Sequence, residues 1–358
     1  MSLNGTKFMK RLTAGQSDVS GYNRTGSTLS ETRNRLDATA APITVSVLIP
    51  TKNRAEDLAL ATRSLLRQTS LPKELVILDQ SADDFGQYLV EQEFAGAPSR
   101  VRNSVRLRHI SDPSVPGTAA ARNALLDVAT GECVLFIDDD SYLEPDFIEE
   151  MLKCYAKHPE IVGISGIITN YSRPKWTARL WPSVFARGPF HDERQSIYWN
   201  ADKLRGTDPV RVRKFTGASM SFRSDVIEGL RFNEALVGAS REEDVDLCAE
   251  LEDRVLVIEP KARLVHNKSP INRARSHWLT EHAQSAYYLY RRHWHRTNWN
   301  RLCFSWLRFG YCLVVPIACA RRLSLEPWRA FCSGRRRALE LTSGLPGAAQ
   351  APLVATQK

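Results

Sequence analysis

The chain has 358 residues, of which 43% are apolar and 25% are charged, as in a globular protein with one large domain or two smaller ones. Its seven cysteines are irregularly spaced and include no Cys-x-x-Cys pair, which excludes a recognisable disulfide framework or zinc motif and fits a reducing compartment. The net charge of +9 is concentrated between residues 270 and 340, where thirteen arginines oppose three glutamates. Such a basic segment calls for an acidic partner, which could be nucleic acid, a membrane surface or an anionic substrate.

The first 42 residues contain no apolar run and are rich in Ser, Thr, Gly and Asn. A secretory signal is therefore not expected, and residues 1–42 are predicted to be mostly disordered. The folded part of the chain is expected to begin at residue 43, where the first apolar run starts.

Strand-like and helix-like segments alternate from residue 43 to residue 169. Apolar runs predict strands at 43–51, 73–79, 104–110, 132–140 and 160–169, and apolar residues at helical spacing predict helices at 54–69, 117–130 and 144–159. Near-continuous apolar strands that alternate with helices are typical of a parallel α/β sheet. We therefore predict a Rossmann-like, mostly parallel sheet flanked by helices. Neither G-x-G-x-x-G nor the G-x-x-x-x-G-K-[ST] phosphate loop is present.

The carboxyl ends of these strands carry the polar residues of the region. Residues 51–54 follow the first strand, Asp79 ends the second, and Asp138, Asp139 and Asp140 end the fourth. Because open α/β sheets bind ligands at this edge, we expect the functional site there.

The pattern becomes less regular beyond residue 170. The stretch 171–213 is rich in Trp and Pro, and no regular structure is predicted for it. A strand followed by a short helix is predicted over 215–227, and a helix is predicted over 240–254. Two short strands joined at Pro260 are predicted over 255–267, which would complete a domain that spans residues 43–268.

The segment after this domain combines an apolar run with arginines. Residues 302–320 are apolar apart from Ser305 and Arg308 and are near the minimum length for crossing a bilayer, but Arg308 and Pro316 disfavour crossing. Flanking arginines and tryptophans are typical of a helix that lies at a membrane interface. The alternative is a buried amphipathic helix of a soluble domain. We predict a basic, aromatic, mostly helical, membrane-associating extension over 269–340 and a disordered tail over 341–358.

Three consecutive aspartates at a strand end indicate a bound cation. In an extended chain Asp138 and Asp140 point to one side and Asp139 to the other, so Asp138 and Asp140 are the expected ligand pair. Mg²⁺ is usually held by one or two carboxylates together with substrate phosphates, which predicts a diphosphate-bearing substrate. The structural alternative is that Asp140 or Ser141 caps the helix that follows.

A second acidic group lies in the REEDVD stretch at residues 241–246. Its structural explanation is the helix dipole, which favours acidic residues at a helix N-terminus. His266, which follows a short strand, is a candidate metal ligand because a neutral imidazole binds cations such as Mn²⁺.

Four blocks of the sequence together resemble the inverting family 2 glycosyltransferases of the GT-A fold. The blocks contain VSVLIPTKNR, then VPGTAAARNALLDV with VLFIDDDSYLEPDF, then TGASMSFRSDVI, and finally REEDVDL. Their order and spacing match, and the resemblance covers residues 45–266. It implies a nucleotide-diphospho-sugar transferase fold and the transfer of a sugar from a nucleotide-diphosphate donor.

The resemblance also implies roles for individual positions. Asp244 is the implied general base and Glu243 is its neighbour at the catalytic position. Asp79 would recognise the base, although the family usually has two acidic residues and a Gly where this chain has DQS. The residues implied for nucleotide-sugar binding are Pro50, Thr51, Arg54, Asp79, Asp138, Asp139, Gly217 and Ala218. The implied ligands for Mn²⁺ or Mg²⁺ are Asp138, Asp140 and His266.

These roles predict a metal-dependent, inverting transfer of one sugar to a hydroxyl acceptor. Asp244 would take the hydroxyl proton, and the cation would stabilise the departing nucleotide diphosphate. Membrane-embedded processive synthases of the family carry a Q-x-x-R-W motif that this chain lacks, so a single addition is expected. The expected acceptor is a glycan or lipid-linked glycan in cell-surface polysaccharide or glycolipid synthesis, at the cytoplasmic face of the cell membrane.

Three other functions agree with parts of the sequence. A nucleotidyltransferase would share the sheet and the carboxylates, but it should carry a glycine-rich loop after the first strand. A non-catalytic, membrane-associated binding protein would leave the acidic cluster inert. Nucleic-acid binding through the arginine tail could use stacking aromatic side chains. It is not expected, because the arginines accompany an apolar run.

Overall fold

A nine-stranded mixed sheet flanked by helices forms the centre of the structure. The computed structural model describes residues 43–236, 242–271 and 277–344, so the predictions for residues 1–42 and for 345–358 lie outside the described residues. The strands are β1 Val45–Thr51, β2 Glu74–Asp79, β3 Arg106–Ser111, β4 Cys133–Ile137, β5 Ser141–Leu143, β6 Ile161–Ile168, β7 Val210–Val212, β8 Ser219–Arg223 and β9 Val255–His266.

Helices of very different lengths connect these strands and follow them. They are α1 Ala55–Leu66, α2 Phe85–Gly96, α3 Ser99–Ser104, α4 Gly117–Val128, α5 Phe147–Lys157, α6 Trp176–Phe185, α7 Arg194–Tyr198, α8 Ala201–Leu204, α9 Ser224–Ile227, α10 Glu243–Glu250, α11 Trp278–Arg292, α12 Asn298–Arg322 and α13 Glu326–Leu341. Short 3₁₀ helices occur at Gly188–Phe190 and Trp294–Arg296.

Strands β3, β2, β1 and β4 pair in parallel and in that order. In this register Thr51 lies opposite Asp79, and Leu48 lies opposite Phe136. Every residue of β1, β2 and β4 is buried, which explains why continuous apolar runs rather than alternation marked them in the sequence. The predicted α/β class is confirmed, and the polar residues that follow β1 and β4 meet at one edge of the sheet.

The rest of the sheet is mixed, and its antiparallel pairs complete that edge. Strand β8 pairs antiparallel with β4, with Ser219 opposite Ile137. This pairing brings Gly217 close to the aspartates that follow β4, since a Cβ added at Gly217 would lie 3.3 Å from Asp138 Oδ1. Strand β6 pairs with β8, and β9 pairs in parallel with β6.

Strand β9 is one strand of 12 residues, so the prediction of two short strands joined at Pro260 is wrong. Its pairing with β6 shifts register between Gly166 and Ile167, and the shift skips residues 260–262. Pro260 has no N–H to donate, and the ladder accommodates it with a bulge instead of ending. The end of β9 then pairs antiparallel with β5, and Ser141 opposite His266 brings that histidine beside the aspartates.

Regular structure also occurs between residues 171 and 213, where none was predicted. Helices α6, α7 and α8 follow one another, and β7 pairs antiparallel with β9. Helices α7 and α8 have five and four residues, which is too short for a hydrophobic period to be recognised.

Helices α11, α12 and α13 form the C-terminal extension. Among the described residues, α12 is the helix that is long and apolar enough to cross a membrane by length and composition. One side of it is nevertheless buried in protein, because Leu307, Tyr311 and Val315 pack in a cluster with Leu279 and Ala286 of α11. The extension is helical over most of its described residues, while its boundary and its association with membranes remain predictions.

The contact between α11 and α13 requires a glycine at residue 334. A Cβ added at Gly334 would lie 2.2 Å from the Thr280 carbonyl oxygen, a backbone atom that cannot move alone. We therefore predict that Gly334→Ala lowers the free energy of unfolding by about 1–3 kcal/mol, since the two helices must separate. The matched control is Gly96→Ala near the end of α2, where an added Cβ meets nothing within 4 Å. Urea unfolding of both variants measures the difference, and equal midpoints would contradict the close packing.

Candidate active site

The three aspartates that follow β4 have different partners. Asp139 is buried and accepts hydrogen bonds from Thr51 Oγ1 at 2.7 Å and from Arg54 Nη1 at 2.9 Å. Burial raises the pKa of Asp139 to about 7, even though the charge and hydrogen bond of Arg54 act against this rise. Asp139 therefore ties the end of β4 to β1 and to the loop that follows it.

Asp138, Asp140 and His266 form a group that could hold a cation. Each offers one ligand atom, and the three atoms lie within 4.8 Å of one another. His266 Nε2 is buried, lies 3.1 Å from Asp140 Oδ1 and makes no well-directed hydrogen bond in the described structure. Two carboxylate oxygens and one imidazole nitrogen form a donor set that suits a divalent cation such as Mn²⁺.

The ionisation of Asp140 also suits a ligand. Burial acts to raise its pKa, but the interaction with His266, the Ser269 N–H and the charge of Arg54 hold the pKa at about 2. The Ser269 N–H donates to Asp140 Oδ2 at 2.8 Å. This carboxyl group is therefore ionised at neutral pH, as a metal ligand must be.

Arg122 of α4 links two of the acidic groups and was not identified in the sequence. Its buried guanidinium donates from Nη2 to Asp138 Oδ1 at 2.9 Å and from Nη1 to Glu243 Oε1 at 3.0 Å. The charges of these carboxylates raise its pKa against the opposing effect of burial. The sequence did contain a signal, because Arg122 is the one basic residue of this helix and follows three alanines on a largely buried face.

Asp244 lies in the first turn of α10, and its two carboxylate oxygens are fixed by backbone donors. The Gly217 N–H donates to Oδ2 at 2.9 Å, and the Val245 N–H donates to Oδ1 at 2.8 Å. Burial raises the pKa of Asp244, while Arg194 and Arg122 oppose the rise. A carboxylate with a raised pKa is a stronger base than an ordinary aspartate.

Glu243 has a different environment from Asp244, although the two residues are adjacent. Burial and the negative charge of Asp244 raise the pKa of Glu243 to about 7, and Arg122 limits the rise. Because Arg122 holds one of its oxygens, Glu243 orients the arginine and helps to position Asp138.

A cavity of about 790 Å³ brings these groups together. The residues that line it and that were named from the sequence are Pro50, Thr51, Arg54, Asp138, Asp139, Asp140, Gly217, Glu243, Asp244 and His266. The aspartates after β4 and the acidic start of α10 therefore face the same space, although about one hundred residues separate them in the chain.

Two of the named residues do not line this cavity. Asp79 is buried and points elsewhere: its Oδ1 accepts from the Ser81 N–H at 2.9 Å, and His109 Nε2 lies 3.5 Å from its Oδ2. Gln80 lines the cavity instead. Ala218 is buried below the cavity wall. The roles in nucleotide-sugar binding assigned to Asp79 and Ala218 remain predictions that the geometry does not support.

Residues 171–213, for which no regular structure was predicted, supply part of the cavity wall. Tyr171, Asp192, Arg194 and Tyr198 all line it. Arg194 is held in place by Asp192, with Nε at 2.8 Å from Oδ1. These side chains lie in short helices and turns, and their sequence pattern carries no motif that could have identified them.

The model of glycosyl transferase family 2 matches residues 46–225, which is half of the chain. The chain belongs to glycosyl transferase family 2. The family resemblance predicted from the four sequence blocks is confirmed, and the nucleotidyltransferase alternative is set aside.

Curated relatives match the same region. The chain is 30% identical over 188 residues to the glucosyl-dolichyl phosphate glucuronosyltransferase of Haloferax volcanii. The aligned region covers 51% of this chain and 53% of the relative. It is 29% identical over 195 residues to the putative glycosyltransferase EpsH of Bacillus subtilis. That aligned region covers 54% of this chain and 51% of EpsH. The chain thus spans about half the length of these two relatives.

Solved structures extend the similarity to most of the chain. S. aureus TarS 1-349 in complex with UDP-GlcNAc superimposes with a TM-score of 0.53 at 14% identity, covering 84% of this chain and 82% of TarS. The UDP complex of the same protein superimposes with a TM-score of 0.52 at 16% identity, covering 84% of this chain and 81% of TarS. At this identity the likeness shows the fold, and the predicted GT-A fold is confirmed.

The ion pairs of Arg122 generate a prediction about stability. Arg122→Met leaves Asp138 and Glu243 without their cation, so we expect it to lower the free energy of unfolding by about 3–5 kcal/mol. Neutralising the two partners as well, in the triple variant Arg122→Met, Asp138→Asn, Glu243→Gln, should recover most of that loss. Arg100→Met, at an exposed arginine of α3, is the matched control and should change little.

Thermal and urea unfolding of the four proteins measure these differences. If the triple variant is no more stable than Arg122→Met, the loss comes from packing and the electrostatic role of Arg122 is contradicted.

Proposed function

We propose that this glycosyltransferase is an inverting, metal-dependent enzyme that moves one sugar from a nucleotide diphosphate to a hydroxyl acceptor. The observation that supports the proposal is the shared cavity, which is lined by the candidate cation ligands Asp138, Asp140 and His266 and by the candidate base Asp244. Its volume of about 790 Å³ falls within the range of ligand pockets.

The donor side of the cavity is formed by the residues after β4. Asp138, Asp140 and His266 would hold Mn²⁺ or Mg²⁺, which neutralises charge on the nucleotide diphosphate as it departs. Arg122 donates a hydrogen bond to Asp138 and Arg54 donates one to Asp139, and Arg54 Nη1 also lies 3.9 Å from Asp140 Oδ2. The chain thereby offers two carboxylates and one imidazole to the cation that would bind the diphosphate. The third aspartate, Asp139, is bonded to Arg54 instead.

The acceptor side is formed by the start of α10. Asp244 takes the proton from the acceptor hydroxyl as the oxygen attacks the anomeric carbon. The two backbone N–H groups that bind it fix its orientation, and its raised pKa strengthens it as a base. Each Asp244 oxygen keeps a lone pair beside the backbone N–H bond that it accepts, so this carboxylate can take the proton, whereas Glu243 Oε1 is paired with Arg122. One base and one leaving group support a single displacement, which inverts the anomeric configuration.

The comparisons indicate which donors and acceptors to test first. Structures of S. aureus TarS contain UDP and UDP-GlcNAc, so we propose a UDP-sugar as the donor. The Haloferax volcanii relative is named for action on glucosyl-dolichyl phosphate, so we propose a lipid-linked glycan as the acceptor. The enzyme would then act in cell-surface polysaccharide or glycolipid synthesis at the cytoplasmic face of the membrane.

Replacing the base separates catalysis from donor binding. We predict that Asp244→Asn lowers kcat by about 10²–10⁴-fold while the affinity for UDP with Mn²⁺ is unchanged. Release of UDP from UDP-sugars measures the rate, and isothermal titration with UDP measures binding. Asp225→Asn, at the start of the short helix α9, is the matched control and should leave both values unchanged.

The pH dependence of the wild-type enzyme checks the same assignment. Asp244 must be ionised to act, and its pKa lies above the ordinary value for an aspartate. We therefore expect kcat/KM to be high above this raised pKa and to fall as the pH drops through it. Near-normal turnover by Asp244→Asn, or an acidic limb that survives in that variant, would show that another group is the base.

A further inference from the structure

Helices α6 and α12 come from distant parts of the chain and pack side by side. Trp181 Nε1 donates to the Gly310 carbonyl and Trp306 Nε1 donates to the Val184 carbonyl, both at 3.0 Å. The Phe185 ring lies over Gly310, where an added Cβ would come within 2.5 Å of it, and its centroid is 5.3 Å from that of Trp306. These contacts hold α6 and α12 together as one unit.

The outer side of this unit is apolar. On α12 the exposed large side chains recur at steps of three and four residues, so they share one side of the helix: Trp299, Leu302, Trp306, Phe309, Leu313 and Ile317. On α6 the exposed large side chains recur at steps of four: Trp176, Leu180 and Val184. We call these nine side chains the apolar face. Soluble monomeric proteins rarely expose so many large apolar residues together, and such a surface marks an interaction site.

The two chain segments that carry the apolar face are basic. Residues 171–187 and 298–322 contain eight basic residues and no acidic residue, namely Arg173, Lys175, Arg179, Arg187, Arg301, Arg308, Arg321 and Arg322. All of them are exposed except Arg179, which is half-buried. A surface of tryptophan, phenylalanine and leucine rimmed by arginine and lysine is complementary to an anionic lipid bilayer, whose interior is apolar and whose headgroups are negative.

We propose that the apolar face binds the surface of an anionic bilayer and that α12 lies on the membrane without crossing it. The opposite side of α12 supports this orientation, because Leu307, Tyr311 and Val315 are buried against the rest of the extension. A crossing helix would have to expose those side chains to lipid and detach from α11.

Helix α6 connects the apolar face to the cavity where catalysis is proposed. Tyr171 precedes α6 and Asp192 follows it, and both line the cavity that contains Asp244. Arg173 and Arg179 also stack on the ring of Trp199, which anchors α6 to the segment that forms the cavity wall. Helix α6 therefore lies between two chain segments that line the cavity, so membrane binding of α6 would place the cavity near the headgroup layer. This second step depends on the proposed function, since it concerns delivery of a lipid-linked acceptor.

The test measures binding of the full chain to vesicles by flotation. We expect binding to vesicles of phosphatidylcholine with phosphatidylglycerol, weaker binding to phosphatidylcholine alone, and a loss of binding as salt increases. The double variant Phe309→Glu, Leu313→Glu should lower the partition coefficient about tenfold or more, and Leu180→Glu on α6 should lower it as well. The matched control is Leu60→Glu, Tyr88→Glu, which places the same charges on exposed apolar positions of α1 and α2 and should not change binding.

The outcomes distinguish this proposal from the proposed function. The variants of the apolar face should keep wild-type release of UDP with water as the acceptor, because their side chains do not line the cavity. Binding that resists alkaline carbonate would show that α12 crosses the bilayer, which overturns the proposal. Equal binding by the face variants and the control variants would also overturn it. So would a dimer, seen by light scattering, that the face variants dissociate and that binds no vesicles.

Discussion

The structure depends on holding six carboxylates around one cavity without leaving their charges unbalanced. One is Asp192, which Arg194 binds, and the other five come from two places in the chain. These are Asp138, Asp139 and Asp140 after β4, and Glu243 and Asp244 at the start of α10. Arg54 binds Asp139, and Arg122 binds both Asp138 and Glu243. These arginines do not fully offset the burial of the carboxylates, because the pKa values of Asp139 and Glu243 are still raised to about 7. A divalent cation between Asp138, Asp140 and His266 would supply further positive charge where the acidic groups are most concentrated.

The same helix that carries Asp244 also joins the catalytic domain to the C-terminal extension. Asp246, two residues further along α10, is buried and accepts from Tyr288 Oη at 2.9 Å. His293 Nε2 and Arg292 Nε lie 2.8 Å and 3.0 Å from the same oxygen. The candidate base therefore rests on a helix that is fixed to α11, and α11 in turn packs against α12. Movement of the extension relative to the sheet would disturb the position of Asp244.

The parts of the site that the sequence predicted are those that local geometry determines. Strand ends follow from apolar runs. The pairing of Asp138 with Asp140 was predicted from an extended chain, but β4 ends at Ile137 and the Ser141 N–H donates to the Asp138 carbonyl, so a turn brings these two carboxylates together. Asp244 was named as the base from the family resemblance, and His266 was named first as a possible ligand after a short strand and then from the resemblance. They line the cavity because β8 pairs with β4 and β9 pairs with β5.

The parts that the sequence did not predict depend on contacts between distant residues. Arg122 meets Asp138 and Glu243 across 16 and 121 residues of sequence, and no spacing rule connects them. Asp79 ends a strand at the predicted edge, yet the close approach of Gly86 and His109 turns its carboxylate away from the cavity. Helix α6 was missed because prolines in its segment argue against a helix, and Pro182 indeed lies inside it. Its role emerged only from its packing against α12.

In the proposed function, residues after β4 and at the end of β9 hold a cation against the donor diphosphate in this cavity. Pulsed electron paramagnetic resonance of Mn²⁺ bound to this chain together with UDP tests the assignment, because couplings to nitrogen and phosphorus identify the atoms around the ion. We predict a ¹⁴N coupling from His266 together with ³¹P couplings from UDP on the same ion, and loss of the ¹⁴N coupling alone in His266→Ala. Bound Mn²⁺ that shows ³¹P couplings but no ¹⁴N coupling in the wild-type protein, or no ³¹P coupling at all, would contradict the account.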